Sequence, residues 1–292
     1  MKKKKIKNKF SPLFLVLGIV LAVYAVSLFI PLLWAILTSL KEPNIEYYEN
    51  MLGFPKGFYT QNFLNVFNEF YVKIDSGENI YFFEMMLNSL LYAMGNALCH
   101  TIVIFIVAYA VARFKFVVGK FIYFTVILGM ILPLVGSQPS MLALAHKLRL
   151  VDTMWGQWLM NAHYLGMYFL VMHATLLSFP KDYDEAAQID GASNITVMFK
   201  IMFPLSITTF STILLLMFIQ HWNNYSAPML FMPNIPTLAY GLSTFNNSTN
   251  PVLTNTPSRL AACVTVAIPT LILFLIFHDR LLNNVSIGGV KE

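Results

Sequence analysis

Six long apolar runs, none of which contains Asp, Glu, Lys or Arg, constrain the fold of this chain more than any other feature. Each is close to the roughly 20 residues that an α-helix needs to cross the hydrocarbon core of a bilayer. The 292 residues are 57% hydrophobic and only 11% charged, which excludes a soluble globular fold and a disordered chain. We therefore predict an all-α membrane protein with six transmembrane helices. The predicted spans are Leu13–Leu40, Met86–Ala112, Phe121–Ala145, Met154–Leu177, Ile201–Trp222 and Leu260–Phe277.

The distribution of positive charge indicates the orientation of these spans. A lysine-rich stretch, Met1–Lys9, precedes the first run, which is too long for a signal peptide and lacks a small-residue cleavage site. With this stretch in the cytoplasm, the outer segments hold only a minority of the 19 Lys and Arg residues, as the positive-inside bias requires. Those outer residues are Lys41, Lys56, Lys73, Lys147, Arg149 and Arg259. Both termini are then cytoplasmic, and the two sizeable outer segments are Lys41–Met85 and Asn223–Arg259.

This chain lacks the sequence motifs that are typical of several classes of protein function. The nearest fragment to a phosphate-binding GK[ST] loop is Gly119–Phe121, which has no upstream Gly and no hydroxyl residue, so ATP chemistry would have to belong to another subunit. HExxH and GxSxG motifs are missing, and Cys99 and Cys263 lie in apolar runs without metal-site spacing. The net charge of +5 is concentrated at the N-terminus, which is typical of a membrane anchor and not of a nucleic-acid-binding surface. We expect neither an enzyme nor a metal site.

The segment Pro180–Asn194, called the acidic segment below, departs from the positive charge that is expected of a cytoplasmic loop. Its residues predict a short helix, a stop and a second helix. Pro180 suits a first helical position, Gly191 permits the positive φ that ends a helix, and Ser193 or Asn194 can cap the second helix. We expect the short helix to lie along the membrane surface.

Two faces of this short helix are suggested by its composition. Ala186 and Ala187, beside Ile189, form a face that another chain can approach closely, whereas the acidic residues form a face for a polar partner. A solvated connector without a partner is the alternative interpretation of such a helix. The acidic residues also complement the positive N-terminal end of the helix. They are Asp182, Asp184 and Glu185.

The local pattern P-x-D-x-x-E-A-A-x-I-D-G-A-S closely resembles the EAA loop of importer-type ABC transporter permeases. In that family, this loop is the coupling helix that sits in a cleft of the ATP-hydrolysing subunit. One departure is Phe203-Pro204, where the family more often has Leu-Pro. The resemblance implies that five residues of the segment contact the ATPase: Glu185, Ala186, Ala187, Asp190 and Gly191.

The resemblance covers most of the chain and points to the carbohydrate-uptake subfamily, similar to the MalG-like subunit of maltose importers. Two departures, Tyr225 for Phe and Ala239 for Pro, fall on the outer side. By the resemblance, Gly289 and Lys291 in the C-terminal tail are further ATPase contacts. The stretches that carry the resemblance are Asn88-Ser89-Leu90, Ala108-Tyr109-Ala110, Arg113-Phe114, Pro133, Trp222-Asn223-Asn224-Tyr225, Pro228, Thr237-Leu238, Gly241-Leu242, Ala261-Ala262, Pro269 and Gly288-Gly289-Val290-Lys291.

The resemblance also implies a domain organisation and a set of partners. Residues 1–12 form a basic cytoplasmic N-terminus, and 13–292 form a single permease domain with core 86–279, coupling loop 178–200 and tail 280–292. The chain would form half of the translocation pathway of an ATP-driven importer in a bacterial cell membrane. The cargo would be a carbohydrate, and more specifically an oligosaccharide. Its partners would be a second related permease, two ATP-binding subunits and an extracytoplasmic sugar-binding protein. The chain itself would need no cofactor, because the partner ATPases bind ATP and Mg.

A polar stripe runs along the second predicted span at a spacing of four residues: Asn88, Tyr92, Asn96 and His100. Such spacing places the side chains on one face of a helix, and hydrogen-bonding groups avoid lipid. The stripe therefore lines a path for a hydroxyl-rich solute or makes hydrogen bonds to other helices, and the residues leave both possibilities open.

Further candidates for the pathway are Asn161 and Tyr164 at helical spacing in the fourth run, and Trp222 and Asn223 at the end of the fifth. In the third run, Pro133 with Gln138-Pro139-Ser140 predicts a Pro-broken helix. The outer tip Phe245–Asn250 either touches a binding protein or is a plain surface loop. The alternative function is a secondary carrier or channel for a small polar solute that works without an ATPase.

Overall fold

The computed structural model describes residues 12–114, 116–132, 136–244 and 251–285, and these residues are mostly helical. A short antiparallel hairpin pairs β1 (Tyr71–Lys73) with β2 (Asn79–Tyr81), with Val72 opposite Ile80. In chain order the α-helices are α1 (Pro12–Ser39), α2 (Glu46–Glu49), α3 (Gln61–Glu69), α4 (Phe82–Arg113), α5 (Val117–Ile131), α6 (Gln138–Lys147), α7 (Met154–Met160), α8 (Met167–Ser178), α9 (Asp182–Ile189), α10 (Asn194–Val197), α11 (Phe203–Trp222), α12 (Ser226–Phe231), α13 (Leu238–Ser243), α14 (Pro251–Thr254) and α15 (Thr256–Val285).

Four of the six predicted spans are continuous helices that are long and apolar enough to cross a membrane, among the residues that the structure describes. They correspond to the first, second, fifth and sixth predicted runs. The continuous helical stretches are Phe14–Ser39, Phe82–Arg113, Asn194–Trp222 and Thr256–Ile276.

The third predicted span is interrupted, as the Pro-broken pattern predicts. Helix α5 ends at Ile131 and α6 begins at Gln138. Between them Gly136 has φ +82°, a left-handed conformation that glycine adopts without strain. Pro133, which we associated with this break, lies outside the described residues.

The prediction of a single helix over Met154–Leu177 is wrong. Helix α7 ends at Met160, where Asn161 Nδ2 donates a hydrogen bond to the carbonyl of Gln157 at 3.0 Å. Helix α8 begins only after Gly166, which has φ +118°. A side chain that caps its own helix and a glycine in a left-handed conformation therefore break an apolar run that contains no proline.

A five-residue π-helix, Met198–Met202, connects α10 to α11 without ending the helical path. Its position has a local cause, because Pro204 follows within the first turn of α11 and has no N–H to donate. Wider π-type hydrogen bonding accommodates such an interruption inside a helix.

The chain forms two compact units, Met1–Glu69 with Ser248–Thr265 and Phe70–Asn247 with Val266–Glu292. In the second unit, α4 is the central helix and packs against α11, α8 and α7. Phe105 of α4 meets Phe203 and Phe210 of α11, with ring centroids 5.5 and 6.1 Å apart. Such edge-to-face aromatic pairs stabilise helix packing beyond their buried area.

Gly95 allows α7 to approach α4 closely. A Cβ atom at this position would overlap the indole ring of Trp158, which is in van der Waals contact with the backbone of α4. The indole Nε1 of Trp158 also donates a hydrogen bond to the carbonyl of Leu91 at 3.2 Å. A small residue at the crossing of two membrane helices serves this purpose in general.

In the first unit, Asn62 of α3 joins three segments through one buried amide. Its Nδ2 donates to the carbonyls of Ser39 and Lys41, at 2.9 and 2.8 Å. Its Oδ1 accepts from the hydroxyl of Ser258 at 3.3 Å, in the first turn of α15. The end of α1, the start of α3 and the start of α15 are therefore held together by a side chain that is fully buried.

We expect Asn62→Leu to destabilise the chain, because two carbonyls and one hydroxyl lose their buried partner at about 1–3 kcal/mol each. Thermal unfolding of the detergent-solubilised protein measures the effect as a lower midpoint. Asn68→Leu, at an exposed position of the same helix, is the matched control. Equal midpoints for the two variants would contradict a structural role for the Asn62 amide.

Candidate functional site

The acidic segment folds largely as its residues predict. Helix α9 covers Asp182–Ile189, and Gly191 follows with φ +82°. Ser193 then caps α10, since its hydroxyl accepts a hydrogen bond from the backbone N–H of Thr196 at 3.2 Å. One detail differs: Pro180 is not the first helical residue, because the helix begins two residues later and Lys181 occupies the cap position.

None of the residues of α9 is buried, so the helix presents most of its surface outward. Glu185, Ala186 and Asp190 are exposed, and Ala187 is half-buried. Ile189 has 86% of its surface exposed, so an apolar side chain lies open beside the alanines. An exposed isoleucine beside two alanines and a carboxylate forms a surface that is suited to a protein partner.

The opposite side of the acidic segment is attached to the end of α4. Arg113 donates through Nη1 to the carbonyl of Phe179 at 3.1 Å, and its Nη2 lies 3.2 Å from the sulfur of Met202. Its Nε is 3.4 Å from Oδ2 of Asp184. One turn earlier in α4, the hydroxyl of Tyr109 donates to the carbonyl of Asn194 at 3.4 Å.

We did not predict these attachments from the sequence, although Arg113 and Tyr109 both belong to the motif at the end of the second run. The signal that could have indicated them was the charge of the acidic segment, which has the sign that an arginine at a helix end would attract. Which of its carboxylates would pair with Arg113 depends on the tertiary fold.

The polar stripe of α4 faces the interior of its own unit. Asn88 is half-buried and its Nδ2 donates to the carbonyl of Pro236 at 3.1 Å. Tyr92, Asn96 and His100 are buried, and the amide of Asn96 donates to the backbone carbonyl of Tyr92 at 2.8 Å. The stripe therefore avoids lipid, as hydrogen-bonding groups in a bilayer should.

Two histidines that we did not predict as site residues meet this stripe. The ring of His163, in the break between α7 and α8, lies 4.4 Å from that of His100, measured between centroids. The ring of His221 in α11 packs edge-on against Tyr92 at 5.9 Å. In the described part of the chain, Tyr92 Oη, Asn96 Oδ1 and both ring nitrogens of His221 are buried without a hydrogen-bond partner. The cluster therefore has unused capacity to bind a polar group.

Among the residues that the structure describes, no group of three or more His, Cys, Asp and Glu side chains could hold a metal ion. The polar capacity of this cluster consists of hydroxyl, amide and imidazole groups. Groups of these types recognise neutral polar solutes through hydrogen bonds.

The other four candidates for the pathway lie in different surroundings. Asn161 and Tyr164 are in the break between α7 and α8, so our expectation that they occupy a helix is wrong. Trp222 is buried, and its Nε1 donates to the carbonyl of Val266 at 3.2 Å. Asn223 is exposed and lines a cavity of about 450 Å³. The remaining lining residues of this cavity are Tyr225, Ala239, Leu242, Ser243 and Val266.

Three of the predicted features lie outside the described residues. They are the tail contacts Gly289 and Lys291 and the outer tip Phe245–Asn250.

Comparison with protein families gives a match over residues 100–286 to the family described as binding-protein-dependent transport system inner membrane component. The chain is 28% identical over 279 residues to the probable ABC transporter permease protein YurM of Bacillus subtilis (strain 168), covering 93% of this chain and 86% of that relative. It is 27% identical over 283 residues to the trehalose/maltose transport system permease protein MalG of Thermococcus litoralis, covering 95% and 96% of the two chains.

A solved structure shares the fold. It is a crystal structure of a bacterial ABC transporter involved in the import of the acidic polysaccharide alginate. One of its chains superposes with a TM-score of 0.79 at 21% identity, covering 94% of this chain and 99% of that chain.

Proposed function

The chain belongs to the family of binding-protein-dependent transport system inner membrane components, and on that premise we propose that it is the permease subunit of an ATP-driven importer for an oligosaccharide. It is a multi-pass protein of the bacterial membrane. The names of several relatives support a carbohydrate as cargo, since they specify arabinooligosaccharides, trehalose and maltose, and galactooligosaccharides.

The exposed surface of α9 is the observation that carries this proposal. It combines a carboxylate, Glu185, with the small side chains of Ala186 and Ala187, and the helix ends at Ile189, two residues before Gly191. A surface of this kind lets a partner backbone come close and pair with the charge. We assign Glu185, Ala186, Ala187, Asp190 and Gly191 to contact with an ATP-binding subunit.

The proposed topology has six membrane-spanning units with both termini in the cytoplasm. Four are the continuous helices, and the others are the pairs α5–α6 and α7–α8. Broken helices occur in membrane proteins where the freed backbone groups are buried in protein or line a water-filled cavity. This arrangement places α9 on the cytoplasmic side, where ATP is available.

The complete importer needs partners, because this chain lacks a phosphate-binding loop. We propose a second related permease, two ATP-binding subunits that bind ATP and Mg, and an extracytoplasmic sugar-binding protein. The tail residues Gly289 and Lys291 contribute a second contact with the ATPase. The chain itself carries out no catalysis and holds no cofactor.

In this mechanism, closure of the two ATPases moves the Glu185–Gly191 segment inward. The helices attached to it move as rigid bodies and switch a sugar site between outward and inward access. The polar stripe, with Asn161, Tyr164, Trp222 and Asn223, provides the hydrogen-bonding groups along the path. The family and the relatives support an importer permease, and they give no support to a carrier that works without an ATPase.

We expect Glu185→Lys to abolish uptake while the protein still inserts into the membrane, because it reverses the charge of the docking surface. The measurement is a pull-down of the solubilised protein from its native membrane, with the ATPase activity of the co-purifying subunits. An ATPase should accompany the wild type and be lost from the variant. Glu78→Lys, the same change at an exposed residue of the hairpin, is the control. Normal transport by Glu185→Lys would refute the coupling assignment.

We expect Asn96→Leu to change the concentration dependence of uptake or the basal ATPase activity, because it removes an amide from the polar stripe. Uptake is measured with radiolabelled maltose, trehalose, arabinotriose and galactobiose in membranes that contain the assembled importer. Met94→Leu, on the exposed face of the same helix, is the control. Unchanged kinetics together with a lower unfolding midpoint would assign Asn96 to helix packing instead.

A further inference from the structure

The ion pairs Lys56–Glu49 and Arg113–Asp184 have sharply different surroundings. Lys56 and Glu49 are 67% and 59% exposed, and exposed pairs contribute little to stability. The side chains of Arg113 and Asp184 are only 4% and 15% exposed. A buried charge that loses its partner is strongly destabilising, so the second pair constrains the positions of the elements that carry it. Those elements are α4 and α9.

Neighbouring carboxylates of α9 point in different directions. Successive side chains of an α-helix are about 100° apart, so Asp184 can face α4 while Glu185 faces outward. Asp184 is half-buried and Glu185 is exposed, in agreement with this geometry. Our expectation that Asp184 belongs to the acidic face for a partner is therefore wrong, because it pairs with Arg113. The helix therefore presents one carboxylate to a partner and keeps the next for its own chain.

Arg113 contacts the chain on both sides of α9. Its guanidinium bonds to the carbonyl of Phe179, which precedes the helix, and lies against the sulfur of Met202, which comes after the whole segment. Tyr109, four residues earlier on the same face of α4, bonds to the carbonyl of Asn194. The entrance and the exit of the acidic segment are thus attached to the same helix end.

The segment between these attachments is itself closely bonded. Gln188 donates to the side chain of Asn194 at 3.2 Å, and the backbone N–H of Ala192 bonds to the carbonyl of Ala187 at 2.9 Å. With the Ser193 cap, these bonds connect α9 to α10 across Gly191. A displacement of α9 is therefore passed to its attachments and not absorbed within the loop.

Helix α4 can carry such a displacement through the protein. It is continuous from Phe82 to Arg113 and contains no proline, the commonest cause of a sharp kink. The polar stripe lies on this same helix. A single rigid element thus has the attachment of the acidic segment at one end and the proposed pathway residues along its length.

We propose that Arg113 is a positioning residue that transmits the movement of α9 to α4 through its ion pair with Asp184. This inference rests on the proposed function, since it concerns how ATP hydrolysis is coupled to the pathway. The Nε–Oδ2 separation of 3.4 Å exceeds the 2.7–2.9 Å typical of charge-assisted hydrogen bonds, so Arg113 and Asp184 attract each other as an ion pair without a hydrogen bond at Nε. Lysine would not replace Arg113, because a single ammonium group lacks the separate nitrogens that donate to Phe179 and face Asp184.

The test compares Asp184→Asn with Asp182→Asn in the assembled importer, reconstituted with its ATPase and binding protein. Both variants remove one charge from the first turn of α9, but Asp182 is exposed whereas Asp184 is paired with Arg113. The readout is the amount of sugar transported per ATP hydrolysed, using radiolabelled maltose, trehalose, arabinotriose and galactobiose. Coupling between sites typically amounts to a factor of about 5–150, so we expect at least a roughly fivefold loss for Asp184→Asn and none for Asp182→Asn.

Two further variants separate transmission from mere structural damage. Asp184→Glu keeps the charge and should restore most of the coupling. In a double-mutant cycle, Arg113→Gln combined with Asp184→Asn should lose no more coupling than the worse single variant, because both act through one pair. In every variant, the ATPase should co-purify at the wild-type ratio, since the Glu185 surface is unchanged.

Three results would overturn the inference: equal coupling in Asp184→Asn and Asp182→Asn, additive losses in the cycle, or release of the ATPase from Asp184→Asn. The last would make Asp184 part of the docking surface. Failure of the wild type to retain an ATPase would instead refute the proposed function. The two failures are therefore distinguishable in one set of preparations.

Discussion

Hydrogen-bonding groups inside a bilayer have no water to bond to, and this constraint governs how α4 is packed. Its polar residues Tyr92, Asn96 and His100 are buried, beside apolar residues such as Phe105 that pack against α11. Leu91 illustrates how strictly the constraint applies: its carbonyl, already part of a helix, also accepts a bond from the indole of Trp158. The absence of a side chain at Gly95 makes that approach possible. The packing of α4 thus follows from the need to keep its hydrogen-bonding groups away from lipid.

Much of the helical framework could be predicted from the sequence. An uninterrupted apolar run of sufficient length is a strong signal, which is why α1, α4, α11 and α15 coincide with predicted spans. The break between α7 and α8 was not predictable in this way. Asn161 and Gly166 act through a side-chain cap and a left-handed φ, and neither changes the hydrophobicity of the run. Hydropathy measures where a chain can be buried and does not measure where its backbone turns.

Some features of the candidate site could likewise be predicted from the sequence, and others could not. The acidic segment could be predicted because its helix, its glycine stop and its serine cap are all encoded within a few neighbouring residues. The pairing of Arg113 with Asp184 and the meeting of His100 with His163 depend on helices that are distant in sequence. A single sequence shows which residue types are present, but it does not show which residues of distant helices contact each other. The contacts of His221 with Tyr92 were missed for the same reason.

The π-helix at Met198–Met202 changes how the side-chain directions before it and after it are related. In an ordinary α-helix, the direction of every side chain is determined by that of the residues before it, at about 100° per residue. One wider turn changes this phase. The face of α11 that meets α4, which includes Phe210, can therefore be oriented independently of the face of α10. A single turn of unusual hydrogen bonding thus allows one continuous helix to satisfy two different sets of neighbours at its two ends.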